Sequence, residues 1–304
     1  EDRIDLDRAL HAADLVLVHE WNSHRLVADI GEHRSRNPGY VLLFHDTHHR
    51  CVTHADSMAG YDLSAYDGAL VFGRVIRDIY LAQGWVRDAW VWHEAADTRL
   101  FRPAAPGPKR IDLVWIGNWG DDERAEELNE FLIEPVQRMG LKAEVYGVRY
   151  PESARRLLDR AGIVYKGWLA NFQAPQVLAE ARMAIHVPRR PYTQQLPGIP
   201  TIRPFEVMAC GIPLISAPWS DCEGLFRPGR DYLVAHDAAE MVHDIERVLT
   251  SADEARSLAW HGFDSIRSRH TCAHRVNQLL RIYRTIRNRN LGIEPSDRCS
   301  RRDR

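Results

Sequence analysis

Apolar runs of strand length alternate with amphipathic segments of helical length along nearly the whole chain. This alternation is typical of βαβ units, in which helices join parallel strands and cover the sheet. The strands predicted in the first third are Leu15–Val18, Tyr40–Phe44, Ala69–Phe72 and Ala89–Trp92. The helical segments between them include Ser23–Arg34 and Val75–Gln83. We therefore expect an α/β domain with a Rossmann-like sheet.

A stretch dense in proline and glycine, F-R-P-A-A-P-G-P-K from Phe101 to Lys109, interrupts this pattern. It cannot extend a helix or a strand ladder, so it predicts a linker. The strands predicted after it are Ile111–Ile116, Lys142–Tyr146, Val164–Tyr165, Ala184–Val187 and Pro213–Ser216. The helices predicted there are Arg124–Met139, Glu152–Ala161, Gln176–Ala181, Pro204–Ala209, Ala238–Thr250, Ala252–His261 and 273–287. We predict two doubly wound domains, at 1–103 and 104–287, followed by a polar tail at 288–304.

The two ends of the chain carry separate expectations. The first residues, up to Ala13, are predicted to form a helix, although an α/β domain normally opens with a strand. Because the chain also begins at Glu1 without an initiator methionine, we expect the natural polypeptide to start earlier and the first domain to be incomplete. The arginine-rich tail at 288–304 is expected to be disordered, with contact between its arginines and acidic lipid as the alternative.

The composition narrows the class of protein. The 40 lysines and arginines nearly balance the 42 acidic residues, which gives no sign of nucleic-acid binding. The 5 cysteines are odd in number and form no C-x-x-C pair, so neither a disulfide framework nor a structural zinc site is expected. No apolar run reaches the roughly 20 residues that span a bilayer. These features predict a cytoplasmic protein with at most peripheral membrane contact.

The segment from Ile202 to Ile215 reads I-R-P-F-E-V-M-A-C-G-I-P-L-I and carries the clearest chemistry. A glycine and a proline after its short helix end that helix and turn the chain into a buried strand. The carboxylate of Glu206, at the helix start, is suited to accept two charge-assisted hydrogen bonds from a vicinal diol, each contributing about 1.5–3 kcal/mol. The alternative is an ordinary glutamate in a first turn, favoured by the helix dipole.

This string resembles the donor-site signature of retaining glycosyltransferases of the GT-B architecture, group 1 (family 4-like), in which the glutamate binds the ribose hydroxyls of the nucleotide. The R-x-F-E form at Arg203 and Glu206 is similar to the CgeB-like branch. The other matching passages, in the same order, are Asp97 with Phe101 and Pro103, Leu113–Gly117, Val164–Gly167 with Ala179–Val187, and Gly224–Ala235. The resemblance implies two Rossmann-like domains facing a cleft and a nucleoside-diphosphate sugar as co-substrate, with no cofactor and no bound metal.

The chain also departs from that family. Many members carry a second acidic residue eight positions before the ribose glutamate, where this chain has Gly198. The basic pair that often follows the first donor-domain strand is not recognisable after Gly117, so we take Arg203, Arg189 and Arg190 as substitutes, with solvated surface arginines as the alternative. The donor-binding residues predicted on this basis are Glu206, Arg203, Gly117, Asn118, Phe205, Gly198 and Arg189.

Two turns carry tryptophans whose role the sequence leaves open. Trp119 follows the first strand of the predicted donor domain, and Trp168 lies in the turn K-G-W-L. An aromatic ring at such a place is suited to stack on a base or a sugar, or to pack in the core.

A polar cluster directly follows the strand Tyr40–Phe44; it consists of His45, Asp46, His48, His49, His54 and Asp56. By the family resemblance, His45 contacts the donor sugar from the first domain, and we name His45 and Asp46 as candidate catalytic residues. A divalent metal site of the His/Asp hydrolase kind is one alternative. Polar loop residues without a catalytic part are the other.

The predicted activity is transfer of a sugar from a nucleoside-diphosphate sugar to an unidentified glycan, protein or lipid-linked acceptor, with retention and without metal. The diphosphate would leave first, while its own charge and the protein stabilise the positive charge that develops on the sugar. A sugar-nucleotide epimerase or hydrolase is the first alternative. The second is a non-catalytic binding or scaffold protein, which the missing acid at Gly198 keeps open.

Overall fold

The computed structural model describes residues 4–105 and 107–293. It divides into two compact units, one formed by the residues up to His93 together with those from Arg275 onward, the other by Glu94–His274. Most of the predicted polar tail, residues 294–304, lies outside the described residues, so its disorder and lipid contact stay predictions. Among the helices described, none is both long and apolar enough to cross a membrane.

The first unit contains a four-stranded parallel sheet in the order β1-β2-β3-β4. Its strands are β1 Leu15–His19, β2 Val41–Asp46, β3 Gly68–Val71 and β4 Ala89–Val91. Its helices are α1 Leu6–Ala9, α2 His24–Arg36, α3 Arg50–Thr53, α4 Ala55–Ala59 and α5 Arg74–Ala82. The helix predicted up to Ala13 is therefore only α1, and the polar cluster after β2 contains two short helices that were not predicted.

The last helix of the chain packs on this first sheet. It is α13 Cys272–Asn290, and its buried Ile282 and Ile286 belong to one core cluster with Val41, Leu43 and Leu70 from the strands. Apolar side chains on the strand faces need such a cover, because a parallel sheet is stable only when both faces are buried. The return of α13 explains why residues after His274 belong to the first unit.

The second unit contains a six-stranded parallel sheet in the order β10-β9-β8-β5-β6-β7. Its strands are β5 Ile111–Ile116, β6 Ala143–Tyr146, β7 Val164–Gly167, β8 Ala181–His186, β9 Leu214–Ser216 and β10 Leu233–Val234. Its helices are α6 Ala125–Leu128, α7 Glu134–Met139, α8 Glu152–Arg160, α9 Ala174–Glu180, α10 Ile202–Ala209, α11 Ala238–Thr250 and α12 Ala252–Arg269. A π-helical turn at Asn129–Ile133 joins α6 to α7.

The division between the units lies earlier than the boundary predicted at the proline-rich stretch. Phe101 is only 2% exposed and belongs to the core cluster of the second unit, together with Ile111 and Phe205. Ala96 also pairs with Thr271 in an isolated parallel bridge within that unit. The residues before the prolines are therefore anchored in the second unit, which the local composition does not reveal.

Candidate functional site

The order of the strands indicates where the candidate site of the second unit lies. β5 and β8 are neighbours in the sheet, but the chain proceeds from β5 to β6 on one side and from β8 to β9 on the other. In open parallel sheets, ligands bind outside the carboxyl ends of the strands at such a reversal of strand order. The loops that begin at Gly117 and Val187, together with α10, therefore frame the site.

The loop after β5 passes close to an indole ring. A Cβ atom at Gly117 would lie 2.5 Å from Trp115 Cζ2, so only glycine fits without a shift. The next residue, Asn118, accepts a hydrogen bond from Val148 N on its side-chain oxygen at 3.0 Å. Gly117 and Asn118 thus lie at the predicted edge, where the carboxamide joins the loops after β5 and β6.

A buried arginine that the sequence prediction did not include ties two of the loops together. The guanidinium of Arg124 donates to Asn118 O at 2.5 Å and to Val187 O at 3.1 Å. Burial, followed by the neighbouring Arg189, lowers the pKa of Arg124 to about 10, so the group remains charged at neutral pH. Arg124 therefore joins the loops after β5 and β8, and its guanidinium brings a positive charge next to both of them.

Glu206 and Arg203 come together on α10, as their spacing predicts. The Glu206 side chain is almost fully buried, and its Oε2 accepts from Arg203 Nη1 at 2.5 Å. Its Oε1 accepts a longer hydrogen bond of 3.4 Å from Asn171 Nδ2, on the segment that follows β7. Burial raises the pKa of Glu206, while Arg203 and Asn171 oppose the rise. Oε1 therefore keeps capacity for a stronger donor.

The backbone that leads into α10 is strained. Thr201, the N-cap residue of α10, has φ 61° and ψ −176°. A β-branched residue at positive φ is a clear outlier. Such conformations cost about 1–3 kcal/mol and cluster at ligand sites, where the surrounding structure fixes them. The strain thus lies at the turn that positions Arg203 and Glu206.

Three other predicted donor residues lie differently. Phe205 has no exposed surface and packs edge-on against Phe226 and His270, so it belongs to the core and is not available to a ligand. The guanidinium of Arg189 pairs with Glu123 Oε2 at 2.6 Å. The predicted substitute Arg190 pairs with two carboxylates on α6, Glu126 at 2.5 Å and Glu127 at 2.6 Å. The charges of both arginines are therefore largely compensated within the protein.

Gly198 lies against the segment that follows β9. Its φ of +92° is in the left-handed region that favours glycine. A Cβ atom at position 198 would lie 2.8 Å from Glu223 Cγ and 3.0 Å from Glu223 Oε1. The Gly198 N–H also donates to Ser220 O at 2.7 Å. A carboxylate from another segment therefore lies beside the position where the sequence lacks an acidic residue.

His186, the last residue of β8, is a buried histidine that the sequence prediction also missed. Its Nδ1 lies 2.9 Å from Ser216 Oγ at the end of β9. Burial, followed by the charges of Arg124 and Arg203, lowers the pKa of His186 to about 3, so the ring is neutral at physiological pH. The one feature of the sequence that could have indicated His186 is its position at the end of a predicted strand.

The two candidate catalytic residues of the first unit differ in exposure. Asp46 has no exposed surface, and its carboxylate accepts from Tyr80 OH at 2.7 Å and from His48 N at 2.9 Å. Asp46 therefore organises the chain after β2 and does not reach a substrate. His45 is half-buried, and its ring lies 4.9 Å from that of Trp92. Burial, with a smaller contribution from His19, lowers the pKa of His45 to about 4, so its ring is neutral.

A buried carboxyl group lies beside His45 at the end of β1. Glu20 has no exposed surface, and one carboxylate oxygen contacts His19 Nδ1. Burial and the negative charge of Asp46 raise the pKa of Glu20 to about 8, while Arg50 and Thr47 oppose the rise. The Glu20 carboxyl group therefore stays protonated near neutral pH.

The raised pKa of Glu20 makes the free energy of unfolding depend on pH. The unfolded chain releases the Glu20 proton at the ordinary glutamate pKa of about 4.5, whereas the folded protein holds it until about pH 8. The contribution of Glu20 to stability is therefore present at low pH and declines as pH rises through this window. We expect the Glu20→Gln variant to lose less stability than the wild type between about pH 5 and about pH 8 in urea denaturation. The control variant Glu32→Gln, at an exposed glutamate, should lose as much stability as the wild type. Equal losses in Glu20→Gln and the wild type would show that Glu20 titrates normally.

The histidine cluster after β2 does not form a metal site within the part of the chain that the structure describes. There, no group of three or more His, Cys, Asp or Glu side chains is arranged to hold a metal ion. Asp46 is committed to Tyr80 and to the backbone, and His49 Nδ1 lies 3.0 Å from Thr53 Oγ1. The metal-hydrolase interpretation therefore has no support from the geometry of these residues.

Comparison with protein families adds a separate line of evidence. Residues 124–281 match the model of a family described as glycosyl transferase-like. This range contains Arg124, Asn171, His186, Arg203 and Glu206 and extends into α13. A comparison with curated protein sequences gave no match.

Solved structures resemble this chain over most of its length. Sucrose-phosphate synthase from Thermosynechococcus elongatus superposes with a TM-score of 0.67 at 16% identity, over 93% of this chain and 76% of that one. HepE of Anabaena in complex with UDP gives 0.67 at 14% identity, over 92% and 81%. TarM of S. aureus in a complex that contains UDP gives 0.61 at 12% identity, over 81% and 51%. At such identities the likeness establishes a shared fold.

Proposed function

This chain belongs to the glycosyl transferase-like family, and on that premise we propose that it moves a sugar from a nucleoside-diphosphate sugar to an acceptor hydroxyl, with retention and without a metal ion. Its class is that of a glycosyltransferase, and its fold is the GT-B architecture shared with the solved structures. The identities of sugar, base and acceptor, and the stereochemistry, belong to the proposal.

The observation that carries the proposal is the buried carboxylate of Glu206 at the reversal of strand order. Arg203 already occupies Oε2, while among the residues that the structure describes Oε1 has only the long contact with Asn171. A ribose diol that donates to Oε1 would gain charge-assisted hydrogen bonds in a low-dielectric environment, where they are stronger than in water. HepE and TarM, whose structures contain UDP, have the same fold, which supports a nucleotide as a ligand of this fold.

Two arginines are proposed to lie against the diphosphate, and one of them, Arg203, shares its charge with the Glu206 carboxylate. Arg203 lies in the first turn of α10, whose backbone N–H groups and dipole also favour an anion. Arg124 adds a buried charge beneath the loops after β5 and β8. Fixed charges of this kind stabilise a departing diphosphate without reorganisation during the reaction. This arrangement replaces the basic pair that the sequence lacks after Gly117.

Two groups are proposed to contact the sugar itself. His45 is retained as one of them, and its ring is neutral because burial lowers its pKa to about 4. Glu223 offers a carboxylate from the segment beside Gly198. In a retaining transfer the acceptor attacks the face that the diphosphate leaves. The anomeric carbon–phosphate oxygen bond breaks, the bond to the acceptor oxygen forms, and the acceptor proton passes to the released diphosphate.

The carboxylate of Glu223 bears on the two alternatives. A scaffold protein was kept open by the missing acid at position 198, but an acid from another segment lies there. A hydrolase or epimerase would consume the donor without an acceptor.

The test is incubation of the protein with UDP-, GDP-, ADP- and TDP-sugars, with chelator and with a panel of saccharide acceptors, followed by mass spectrometry.

A glycosylated product formed in chelator from one donor is the expected result. Donor consumption without any acceptor product, at the same rate with and without the acceptors, would instead identify a hydrolase or epimerase. No consumption of any donor, in a protein that binds the nucleotides, would identify the scaffold.

The first unit gives a separate prediction for His45→Ala. We expect turnover to fall by about ten- to a hundredfold, since one hydrogen bond to the reacting sugar is lost, equivalent to about 1.4–2.8 kcal/mol. The dissociation constant for the free nucleoside diphosphate should stay within about twofold, because His45 contacts the sugar and not the nucleotide. His54→Ala, in the same polar cluster, is the control. Equal turnover of His45→Ala and the wild type would remove His45 from the site.

A further inference from the structure

A large aromatic side chain of the first unit lies in water shortly after β1, which ends at His19. Trp21 is 64% exposed, and it is the one exposed tryptophan, tyrosine or phenylalanine among the residues of that unit that the structure describes. Ligands bind beyond the carboxyl ends of parallel strands, and exposed indoles are common at binding surfaces. The surroundings of the ring indicate which ligand suits it.

The indole of Trp21 is held in place without a ligand. The guanidinium of Arg50 lies over it, with Cζ 4.0 Å from the ring centroid, and Arg50 Nη1 also donates to Glu20 O at 3.4 Å. The ring of His48 meets the indole edge-on, with 5.3 Å between the centroids. A side chain that is already ordered loses little entropy when a ligand binds, so Trp21 is preorganised as a binding surface.

A row of rings connects Trp21 with His45. The rings of Trp21 and His19 are nearly parallel, at 8°, with their centroids 6.4 Å apart. The ring of His19 in turn meets that of His45 edge-on, with 5.2 Å between the centroids. One ring therefore separates Trp21 from the residue that is proposed to contact the transferred sugar. The molecule that accepts this sugar must reach the same place, so Trp21 is a candidate contact for the acceptor.

The groups around the indole are those that suit a sugar. His19, His48 and Arg50 are half-buried polar side chains that border the ring. Burial, followed by the charge of Arg50, lowers the pKa of His19, so its ring is neutral at physiological pH. A pyranose has a face of C–H groups, which packs on a flat aromatic ring, and a rim of hydroxyl groups, which needs polar neighbours. A lipid chain would need a continuous apolar surface instead, and a peptide hydroxyl would need no flat ring.

We propose that Trp21 is the platform on which a sugar ring of the acceptor stacks, and that the acceptor is therefore recognised as a glycan. This inference rests on the proposed function, which left the acceptor open, and it names the class of molecule that receives the sugar. Trp21 binds the acceptor and takes no part in the bond changes. Its loss should therefore raise the Michaelis constant for the acceptor and leave that for the donor unchanged.

The experiment presents the wild type and its variants to an array of glucan, galactan, mannan and chitin oligosaccharides and of bacterial polysaccharide repeat units. Transfer to each glycan that binds is then measured. We expect Trp21→Ala to weaken glycan binding, and to raise the Michaelis constant for that glycan, by about ten- to a hundredfold. Trp21→Phe should recover part of the affinity because it keeps a flat ring, whereas Trp21→Leu should not.

Trp260 supplies the matched control, since it is 55% exposed and lies on α12 in the second unit. Trp260→Ala should bind the glycan like the wild type. The melting temperature of Trp21→Ala should stay close to that of the wild type, and its affinity for the nucleoside diphosphate should be unchanged.

Three results would overturn the platform: a wild type that binds no glycan of the array, a Trp21→Ala variant that binds like the wild type, or equal affinity in Trp21→Leu and Trp21→Phe. The proposed function would survive each of them if Glu206→Ala still loses the nucleotide. Glycan binding that depends on Trp21, in a protein that binds no nucleoside diphosphate, would instead remove the donor site and leave the platform.

Discussion

The Glu206→Ala variant should lose most of its affinity for the nucleoside diphosphate. The lost carboxylate is nearly desolvated and lies on α10, one of the elements that frame the candidate site, so its bonds to a ribose diol are not weakened by water. Loss of one or two charge-assisted hydrogen bonds should weaken binding by about ten- to a hundredfold or more, equivalent to at least about 1.4–2.8 kcal/mol. Calorimetry with the diphosphate that binds the wild type measures the change.

The isosteric Glu206→Gln variant separates charge from shape. It keeps the size of the side chain and can still contact Asn171, but it loses the ion pair with Arg203. We expect its affinity to lie between those of Glu206→Ala and the wild type, because a neutral amide oxygen accepts from the diol roughly half as strongly as a carboxylate. Glu246→Ala, an exposed glutamate on α11, is the control and should bind normally. Full affinity in Glu206→Gln would mean that the carboxylate charge plays no part.

The Arg124→Met variant should lose the most stability of the variants considered. Removal of the guanidinium leaves the partly buried carbonyl group of Asn118 and the buried one of Val187 without this donor, and each such loss costs about 1–3 kcal/mol. Relief from burying a charge, the same burial that lowers the pKa of Arg124 to about 10, offsets part of this cost. We expect a loss of about 2–4 kcal/mol, which lowers the melting temperature by roughly 5–15 °C for a domain of this size.

Nucleotide binding should weaken together with stability in Arg124→Met, since the loops after β5 and β8 lose their common donor. Arg124→Lys should recover little, because an ammonium group cannot span both carbonyls as the planar guanidinium does. Arg138→Met, an exposed arginine on α7, controls for the general effect of losing a surface charge. A melting temperature of Arg124→Met equal to that of the control would show that the guanidinium does not hold the loops.

One strand and one helix of the second unit have the bounds that the sequence predicts. Ile111–Ile116 and Ala238–Thr250 are confirmed residue for residue, because a continuous apolar run and an amphipathic helix with an aspartate cap leave little choice. The helix predicted to end at His261 instead continues to Arg269. Gly262 suggests a stop, yet it lies inside the helix, and a Cβ there would lie 2.8 Å from Asp231 O. A close tertiary contact, not a turn, requires this glycine.

Within the candidate site, the pairing of Arg203 with Glu206 on one helix was the most predictable contact. Arg203 and Glu206 lie three residues apart, so helical geometry brings them together. Arg124 and Asn171 join the site from other segments, and nothing local distinguishes a buried arginine from a surface one. Phe205 shows the reverse error, because its neighbour Glu206 turns towards the site while the phenyl ring turns into the core. Burial and long-range contacts decide these cases.

The measurement that tests the central claim most directly is a crystal structure of the protein with the nucleoside diphosphate that binds it. The account predicts that both ribose hydroxyls lie within hydrogen-bonding distance of Glu206, with the diphosphate against Arg203 at the start of α10. A nucleotide bound elsewhere, or a Glu206 whose carboxylate contacts only Arg203 and Asn171 in the occupied protein, would contradict it.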